Sequence, residues 1–330
     1  RYFKDGHSEY SENFNADAMI NKIMKKRVGC WNCPFTCGKY VEIEDGPYQC
    51  SLEGPEYETI ASFGGICDVR DIKAIAKLND LCDRAGIDTI SAGNLVGLAI
   101  EAKKRNKISN FKINIDYNKP MEILKFLRKI IHREDLGEDF AKGTKYVAEK
   151  YNLQDIAMHV KGLEFAGYDP RAFRGFTLSY GVAPEGPTHL RSAFHSIEKD
   201  LPNYLSYEDK VEPMIEQEDR MAIIDSLIVC KFIRNILDWD TLIEIYNTIF
   251  DENKNIEYLR DFANRMITLS RKFNVREGFS RKDDYMPDRV FNESIINKYG
   301  KKLSLDRKKY DKMLDEYYKV RGWSKQGIPE

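Results

Sequence analysis

Apolar residues recur at spacings of three and four along most of the chain, which is the pattern of amphipathic helices. The clearest run places Ile72, Ile75 and Leu78 on one face and ends at Gly86, a residue suited to a left-handed helix C-cap. Strand-like alternation is confined to residues 40–43 and, more weakly, 156–160. The pattern therefore predicts a mainly α protein. Further helices are predicted over residues 91–104, 121–132, 138–151, 216–237, 239–250, 257–273 and 305–320.

The helical pattern is interrupted where Gly162 and Gly167 precede a loop-rich stretch. We therefore predict two multihelical domains, one over residues 1–160 and one over residues 161–330. The chain starts at Arg1, and its first stretch is polar and turn-rich. We expect from this that an N-terminal domain precedes the chain.

Composition and charge exclude several classes of protein. The 330 residues are 42% hydrophobic and 32% charged, and their net charge is −1. Charge therefore gives no reason to expect nucleic acid or a membrane as partner. No apolar run approaches the roughly 18 residues of a membrane span. Seven cysteines, an odd number, and the lack of a secretory signal argue against a disulfide framework.

Three cysteines, Cys30, Cys33 and Cys37, form a C-x-x-C-x-x-x-C triplet that can place three thiolates around one inorganic centre. A four-iron cluster takes four thiolates, and Cys230 is the downstream candidate for the fourth because it is isolated from the other cysteines. Zinc is the rival metal, although zinc ribbons usually bring two C-x-x-C pairs. Chance clustering is the remaining alternative.

Two turns carry carboxylates that could serve a ligand. Glu56 and Glu58 follow a Gly-Pro turn, and the alternative is an acidic helix start that the helix dipole favours. Residues 83–89 end one helix at Gly86 and begin another beyond Asp88, so backbone N–H groups and a carboxylate are offered together. Asp88 could equally be a plain N-cap.

Two later segments also carry candidate chemistry. His189 follows a Gly-Pro turn, from which an imidazole with a pKa near neutrality could act as a general acid or base. A lone structural histidine is the alternative. Asp225 precedes Cys230 by five positions, so the two side chains could address adjacent cofactors.

Taken together, these segments resemble the tungsten-dependent aldehyde:ferredoxin oxidoreductases, in which they occur in the same order. Each is only moderately specific, but their shared order along the whole chain makes coincidence a poor explanation. The matching segments are the cysteine triplet, residues 53–59, 83–88, 161–164, 186–191 and 225–230, and the closing residues 317–329.

The resemblance implies two helical domains that, with an N-terminal β domain of the same protein, enclose a bis-pterin cofactor of tungsten or molybdenum beside one [4Fe-4S] cluster. It also implies an oxygen-sensitive cytoplasmic enzyme that oxidises an aldehyde to a carboxylic acid and passes electrons to ferredoxin. The implied cluster ligands are Cys30, Cys33, Cys37 and Cys230; the implied pterin-binding residues are Asp83, Gly86, Asp88, Arg191 and Asp225; and the implied catalytic residues are His189 with Glu56 or Glu58.

The chain departs from the family pattern twice. Ile228 stands where the second pterin motif has a glycine, so we expect a different backbone turn there. The Glu-x-x-His of the family's dimer-bridging metal site reads Lys77-Leu78-Asn79-Asp80, so we predict no metal at a subunit interface. A homodimer through other surfaces stays open.

Two alternative functions remain at this point. One is the tungsten subunit of an aromatic acyl-CoA reductase, whose active site would lack the glutamate and the histidine. The other is a helical iron–sulfur electron-transfer module without a pterin.

Overall fold

The computed structural model describes residues 1–109 and 112–330, and the fold is mainly helical, as the sequence predicts. Within these residues, no helix combines the length and the apolar composition that crossing a bilayer requires. The longer helices are Ile72–Ala85, Thr89–Lys104, Pro120–His132, Thr144–Tyr151, Gly175–Val182, Val211–Ser226, Trp239–Phe250, Ile256–Arg276 and Arg307–Arg321. Shorter helical segments are Ser11–Asn13, Ala16–Lys22, Tyr57–Ile60, the π-helix Ala61–Ile66, Leu136–Phe140, Pro170–Ala172, His195–Glu198, Lys231–Ile236, Arg281–Asp284 and Asp288–Asn292. The strands are Met24–Val28, Gly38–Ile43, Cys50–Glu53, His159–Val160, Leu163–Glu164, Ile295–Ile296 and Lys302–Leu303.

The chain divides into two compact units, each made of two stretches. Unit 1 comprises Arg1–Asp169 and Pro287–Ser304, and unit 2 comprises Pro170–Met286 and Leu305–Glu330. The domain boundary predicted at residue 160 stays a prediction, because compactness alone does not show which stretches fold independently.

Unit 1 contains a three-stranded antiparallel sheet whose strands follow one another in sequence order. Its outer strand Met24–Val28 has an exposed middle of Lys25, Lys26 and Arg27, as suits the edge of a sheet. Val28 pairs with Gly38, so the loop of this first hairpin runs over residues 29–37. The sheet therefore presents the whole cysteine triplet on one loop.

The centre of unit 1 is the helix Thr89–Lys104, in which every residue from 92 to 102 is buried. A helix that is buried on all sides needs small residues where its neighbours approach most closely. A Cβ atom on Gly93 would lie 2.6 Å from Cβ of Ser62, and one on Gly97 would lie 2.5 Å from the Tyr2 ring. These two glycines let the chain pack directly against this helix.

A buried ionic group ties the stretch Pro287–Ser304 to the rest of unit 1. Both Glu101 and Arg289 have fully buried side chains, and Nη2 of Arg289 lies 3.6 Å from Oε1 of Glu101. Arg289 also binds Glu293 at 2.8 Å, while Glu101 binds Arg105 at 2.6 Å and Lys4 at 3.2 Å. Since buried charges need partners, this ionic group fixes where the stretch Pro287–Ser304 packs against the rest of unit 1.

In unit 2, the helix Arg307–Arg321 is held by a second buried ionic group. Arg321 lies 2.7 Å from both Glu218 and Asp219, which belong to the helix Val211–Ser226. The Tyr317 hydroxyl donates to Glu218 at 2.9 Å. This helix pairing forms one wall of the unit that carries His189 and Cys230.

Most predicted elements are confirmed. The helix Trp239–Phe250 has the predicted ends, and the helices Ile72–Ala85, Thr89–Lys104 and Pro120–His132 begin or end within two or three residues of them. Gly86 has φ of 69° and caps the helix Ile72–Ala85 in the left-handed conformation, as predicted.

Two predicted helices are wrong in extent. Residues 138–151 form two helices, because Gly143 has φ of 89° and separates Leu136–Phe140 from Thr144–Tyr151. The helix predicted over residues 216–237 ends at Ser226, and residues 231–236 form a separate 3-10 turn. The break lies at the segment that contains Ile228 and Cys230.

Candidate functional site

The three cysteines of the triplet lie on the hairpin loop of residues 29–37 in unit 1. Cys30 and Cys37 are exposed and Cys33 is half-buried, and all three thiols are free. The amide of Cys33 donates to the Cys30 carbonyl at 3.1 Å, which makes a tight turn between the two thiols. Trp31 is 95% exposed beside them. The loop therefore offers three free thiols from a short stretch of backbone.

The fourth predicted ligand, Cys230, is a free and exposed thiol in unit 2. Among the described residues, no group of three or more His, Cys, Asp or Glu side chains is arranged to hold a single metal ion. A four-iron cluster binds each cysteine through a different iron, so its thiolates need not converge on one point. Four free thiols thus fit the chemistry of a cluster, and the ligand assignment stays a prediction.

The remaining cysteines have the surroundings of structural residues. Cys67 and Cys82 are buried, and burial raises the pKa of both thiols. The Cys67 thiol donates to the Gly93 carbonyl at 3.2 Å. Cys50 is half-buried, and burial raises the pKa of its thiol as well. A thiol that resists deprotonation is a poor metal ligand, which is consistent with leaving these three out of the cluster.

The two candidate glutamates have very different surroundings. Glu56 is exposed and forms an ion pair with Lys39 at 2.8 Å. The Glu58 carboxylate instead accepts a hydrogen bond from the Gly167 amide, with 2.6 Å between N and Oε2. Burial raises the pKa of Glu58 to about 7, although the Gly167 N–H acts in the opposite direction. Glu58 is therefore poised to exchange a proton near neutrality.

The first predicted pterin motif is an exposed turn between two helices of unit 1. Gly86 donates its amide to the Asp83 carbonyl at 3.2 Å, and Ile87 donates to the Cys82 carbonyl at 3.0 Å. Asp88 accepts from the Ser91 amide at 2.7 Å, so it is the N-cap of the following helix. This solvent-exposed turn thus contains the end of one helix, the start of the next, and the carboxylates of Asp83 and Asp88. Such a turn offers several hydrogen-bonding groups to a polar ligand.

Glu58 and this turn lie close together in unit 1. The hydroxyls of Thr59 and Thr89 are 2.8 Å apart, which joins the residue after Glu58 to the residue after Asp88. The negative charge of Asp88 contributes to the raised pKa of Glu58. Two of the predicted site segments are therefore brought together within one unit.

The second predicted pterin motif, in unit 2, has the same backbone hydrogen bonds as the first. Ile228 donates to the Asp225 carbonyl at 3.1 Å, and Val229 donates to the Ile224 carbonyl at 3.3 Å. Ile228 has φ of 57°, the left-handed conformation that glycine adopts readily and a β-branched residue adopts at a cost. The expectation of a different turn at Ile228 is therefore wrong: the turn is kept, and the isoleucine is strained.

His189 lies beside the cations that follow Cys230. Burial, and then the positive charges of Arg234 and Lys231, lower the pKa of His189 to about 4. Lys231 donates to the carbonyl of Leu190 at 2.6 Å and forms an ion pair with Asp225 at 3.0 Å. The sequence predicted a pKa near neutrality for His189; the value is lower chiefly because the ring is partly buried, and also because Arg234 and Lys231 lie near it. At neutral pH it is an uncharged imidazole.

Arg191 and His195 complete this part of unit 2. Arg191 forms an ion pair with Glu185 at 2.9 Å, and the negative charge of Asp225 also contributes to raising the pKa of Arg191. The His195 ring lies 4.7 Å from the Phe176 ring and 6.4 Å from the His189 ring. Unit 2 therefore brings His189, Arg191 and Asp225 together.

A sequence model of the family described as aldehyde ferredoxin oxidoreductase, domains 2 and 3, matches residues 1–330. The chain belongs to this family. Two aldehyde ferredoxin oxidoreductases described as tungsten-containing are similar to it along nearly its whole length. The protein of Pyrococcus furiosus is 29% identical over 99% of this chain and 55% of its own length. That of Pyrococcus abyssi is 30% identical over 100% of this chain and 56% of its own length.

The chain spans about half the length of these aldehyde ferredoxin oxidoreductases. Among solved structures, the active-site complex of a benzoyl coenzyme A reductase bound to 1,5-dienoyl-CoA has a similar fold, with a TM-score of 0.75 over 95% of this chain and 52% of the other. At 19% identity this likeness concerns the fold alone.

Sequence reasoning missed the residues that hold the aldehyde ferredoxin oxidoreductase motifs in place. Gly167 interrupts the helical pattern, and its amide also holds Glu58. Glu164 belongs to the matching segment 161–164, and it is also 5% exposed and accepts two hydrogen bonds. The available signal was a charged residue among the apolar residues Leu163, Phe165 and Ala166, since charged residues are rarely buried without partners.

Proposed function

We propose that this chain carries the cofactor-binding and catalytic residues of an enzyme that oxidises an aldehyde to a carboxylic acid and passes the electrons to ferredoxin. Membership of the family supports the reaction class. The half-buried Glu58 carboxylate, fixed by the Gly167 amide and with a pKa of about 7, is the observation that carries the proposal. The overall reaction takes an aldehyde and water to an acid, two protons and two electrons.

In this proposal Glu58 accepts the proton of the attacking water. A general base works best when its pKa lies near the working pH, because it is then both ionised and basic. Burial gives Glu58 that pKa, whereas Glu56 is already engaged by Lys39 at the surface. Glu58 is therefore the glutamate that we assign to catalysis.

His189 takes a different part, because it is uncharged at neutral pH. A neutral imidazole can donate one N–H to the aldehyde oxygen and thereby polarise the carbonyl group. Burial, together with the charges of Arg234 and Lys231, keeps the pKa of His189 at about 4, so the imidazole does not take up a proton near neutral pH.

The residues also fit the cofactors that the family implies. Cys30, Cys33, Cys37 and Cys230 are free thiols, and together they match the four ligands of a [4Fe-4S] cluster. The two matching turns at residues 83–88 and 225–230, with Arg191, offer carboxylates, backbone N–H groups and a guanidinium to a pterin. When bound, a tungsten or molybdenum pterin would take up the two electrons, and the cluster would pass them on singly.

Neither alternative gains a supporting observation. The likeness to the benzoyl coenzyme A reductase complex concerns the fold, and Glu58 in its present surroundings suits a proton acceptor for water. An iron–sulfur module without pterin gives no reason for a half-buried glutamate with a raised pKa beside the turn of residues 83–88.

The test is anaerobic elemental analysis of the full-length protein, which counts iron, tungsten, molybdenum and zinc per chain. We expect about four irons and one tungsten or molybdenum. Cys30→Ser and Cys230→Ser should each lose iron, whereas the control Cys50→Ser, which removes a half-buried thiol outside the set, should keep it. Zinc alone, or iron without tungsten or molybdenum, would sink the proposal.

A further inference from the structure

Glu164 links several parts of unit 1 that the proposed function uses. It is 5% exposed and belongs to the short strand Leu163–Glu164. Its Oε2 accepts from the Ser91 hydroxyl at 2.8 Å, and its Oε1 accepts from the Thr144 amide at 3.1 Å. Thr144 is the first residue of the helix Thr144–Tyr151, so the carboxylate also caps that helix from a distance. Both oxygens are thus committed to fixed donors.

Through Ser91, this carboxylate reaches the first pterin motif. The amide of Ser91 donates to Asp88 at 2.7 Å, while its hydroxyl donates to Glu164. One turn further along the same helix, the Asn94 side chain donates to the Phe165 carbonyl at 3.0 Å. The segment that contains Glu164 is therefore bound twice to the helix that Asp88 caps.

Three residues after Glu164, the same segment holds Glu58. The Gly167 amide donates to Glu58 at 2.6 Å, and the Tyr57 hydroxyl lies 3.5 Å from the Gly167 carbonyl. A Cβ atom on Gly167 would lie 2.4 Å from Cβ of Ala61, so a glycine is needed for the backbone to come this close. The position of the Gly167 amide thus decides where the Glu58 carboxylate lies.

We propose that Glu164 is a positioning residue: by fixing residues 163–167 against Ser91 and Asn94, it holds the turn of residues 83–88 and the Glu58 carboxylate in register with each other. This inference rests on the proposed function, because it assigns Glu58 to proton transfer and the turn to cofactor binding. Glu164 itself does not act on the substrate.

The proposal predicts a change in the proton affinity of Glu58 when Glu164 is altered. The Gly167 N–H favours the ionised carboxylate, so a longer or lost hydrogen bond raises the pKa of Glu58 further. Asp88 and Tyr57 interact electrostatically with Glu58, and changing Glu164 leaves both groups in place. The acid limb of the activity profile should therefore move to higher pH.

The experiment compares Glu164→Gln and Ser91→Ala with a matched control in the full-length holoenzyme. Glutamine keeps the size of Glu164 but can accept at only one of its two terminal atoms. Ser91→Ala removes only the hydroxyl that donates a hydrogen bond to Glu164. The Ser91 amide, which donates to Asp88, remains. The control is Asp139→Asn, which alters another buried carboxylate of unit 1 that binds Lys150 and Tyr151 at 2.6 and 2.5 Å.

Two readouts are taken, the pH dependence of kcat/KM for an aldehyde and the tungsten or molybdenum retained per chain after dialysis. For Glu164→Gln we expect the acid limb to move to higher pH by about half a unit or more. A weakened hydrogen bond from the Gly167 amide to the Glu58 carboxylate would raise the pKa of Glu58 by that order. For both Glu164→Gln and Ser91→Ala we expect a severalfold loss of retained metal. Asp139→Asn should change the midpoint of thermal unfolding but neither readout.

Results that match wild type for Glu164→Gln and Ser91→Ala in both readouts would overturn the proposal. The same holds if Asp139→Asn changes both readouts as much, because Glu164 would then have only a structural role. If the wild-type protein retains metal but oxidises no aldehyde, the proposed function fails, and metal retention still decides whether Glu164 positions the turn.

Discussion

Two ionisable side chains have pKa values that burial moves in opposite directions. It raises the pKa of Glu58 to about 7, and with Arg234 and Lys231 it lowers the pKa of His189 to about 4. A carboxyl that titrates near neutrality can exchange a proton, whereas an imidazole that stays neutral can only hydrogen-bond. The sequence predicted a pKa near neutrality for His189, because the burial of its ring and the nearby cations arise only through the fold.

Glu58→Gln should lower kcat/KM for aldehyde oxidation by about 100-fold or more, since general base catalysis contributes roughly that much. In the wild-type enzyme the carboxylate must be ionised, so kcat/KM should rise with pH and level off above about 7. The variant should lose this acid limb. Steady-state rates of anaerobic holoenzyme between pH 5.5 and about 9 measure both effects, a range chosen to bracket that pKa.

The control for this prediction is Glu56→Gln, which changes a carboxylate two residues away that is ion-paired with Lys39 at the surface. Exposed ion pairs contribute little to stability, so this variant should keep both the rate and the acid limb. Equal losses in the two variants would mean that the local turn, and not the Glu58 proton, limits the reaction.

Ile228 is strained at φ of 57°, and its side chain is 93% exposed, so it gains little from packing. The left-handed conformation costs an ordinary residue roughly 1–2 kcal/mol. Ile228→Asn, which tolerates this conformation, should therefore raise the free energy of unfolding by about 1 kcal/mol. Urea unfolding followed by circular dichroism measures the change. Ile228→Val is the matched control, and a similar gain in it would show that strain is not the cause.

At the scale of the helix and strand, the sequence predicts well those elements whose ends depend on residues nearby in the chain. The helix Trp239–Phe250 has an N-cap at Asp238 and an apolar periodicity, and both are visible in the sequence. The start of the helix at Thr144 is different, because its amide is satisfied by the distant Glu164. The strand Met24–Val28 was missed because its exposed Lys and Arg residues do not look like a strand until a partner strand pairs with it.

The stretch Pro287–Ser304 should depend on Arg289 for its place in unit 1. Arg289→Met removes a fully buried guanidinium and leaves Glu101 and Glu293 short of a partner. Breaking a buried ion pair by removing one partner costs about 3–5 kcal/mol, so we expect a loss of that order in the free energy of unfolding.

The control is Arg105→Met, whose side chain is 31% exposed although it binds the same two carboxylates, Glu101 and Glu293. Because water can replace part of the hydrogen bonding of the partly exposed Arg105 guanidinium, the free energy of unfolding should fall by only about 1 kcal/mol. Chemical unfolding of the two variants compares them directly. Equal losses would contradict the view that burial of Arg289, and not the pairing of Glu101 as such, fixes the stretch.

At the scale of the whole molecule, the chain completes neither unit in a single pass. Unit 1 needs Pro287–Ser304, and unit 2 needs Leu305–Glu330, which carries Arg321 for the buried pair with Glu218. A sequence reading finds boundaries where local pattern stops, as it does near residue 160. It has no signal for a stretch that returns to an earlier unit, because that return depends on partners such as Glu101 that lie far away in sequence.

This organisation predicts which fragments of the chain fold. Residues 1–160 lack Glu164, Gly167 and the whole stretch Pro287–Ser304, so the fragment should be unfolded or molten, with little near-ultraviolet circular dichroism. Residues 1–169 joined through a flexible Gly/Ser linker to residues 287–304 regain the partners of Ser91, Glu58 and Glu101. This two-part fragment should unfold cooperatively and resist trypsin. If residues 1–160 alone were as stable, the boundary read from the sequence would be the true limit of a domain, and the returning stretch would be an accessory to a unit that folds without it.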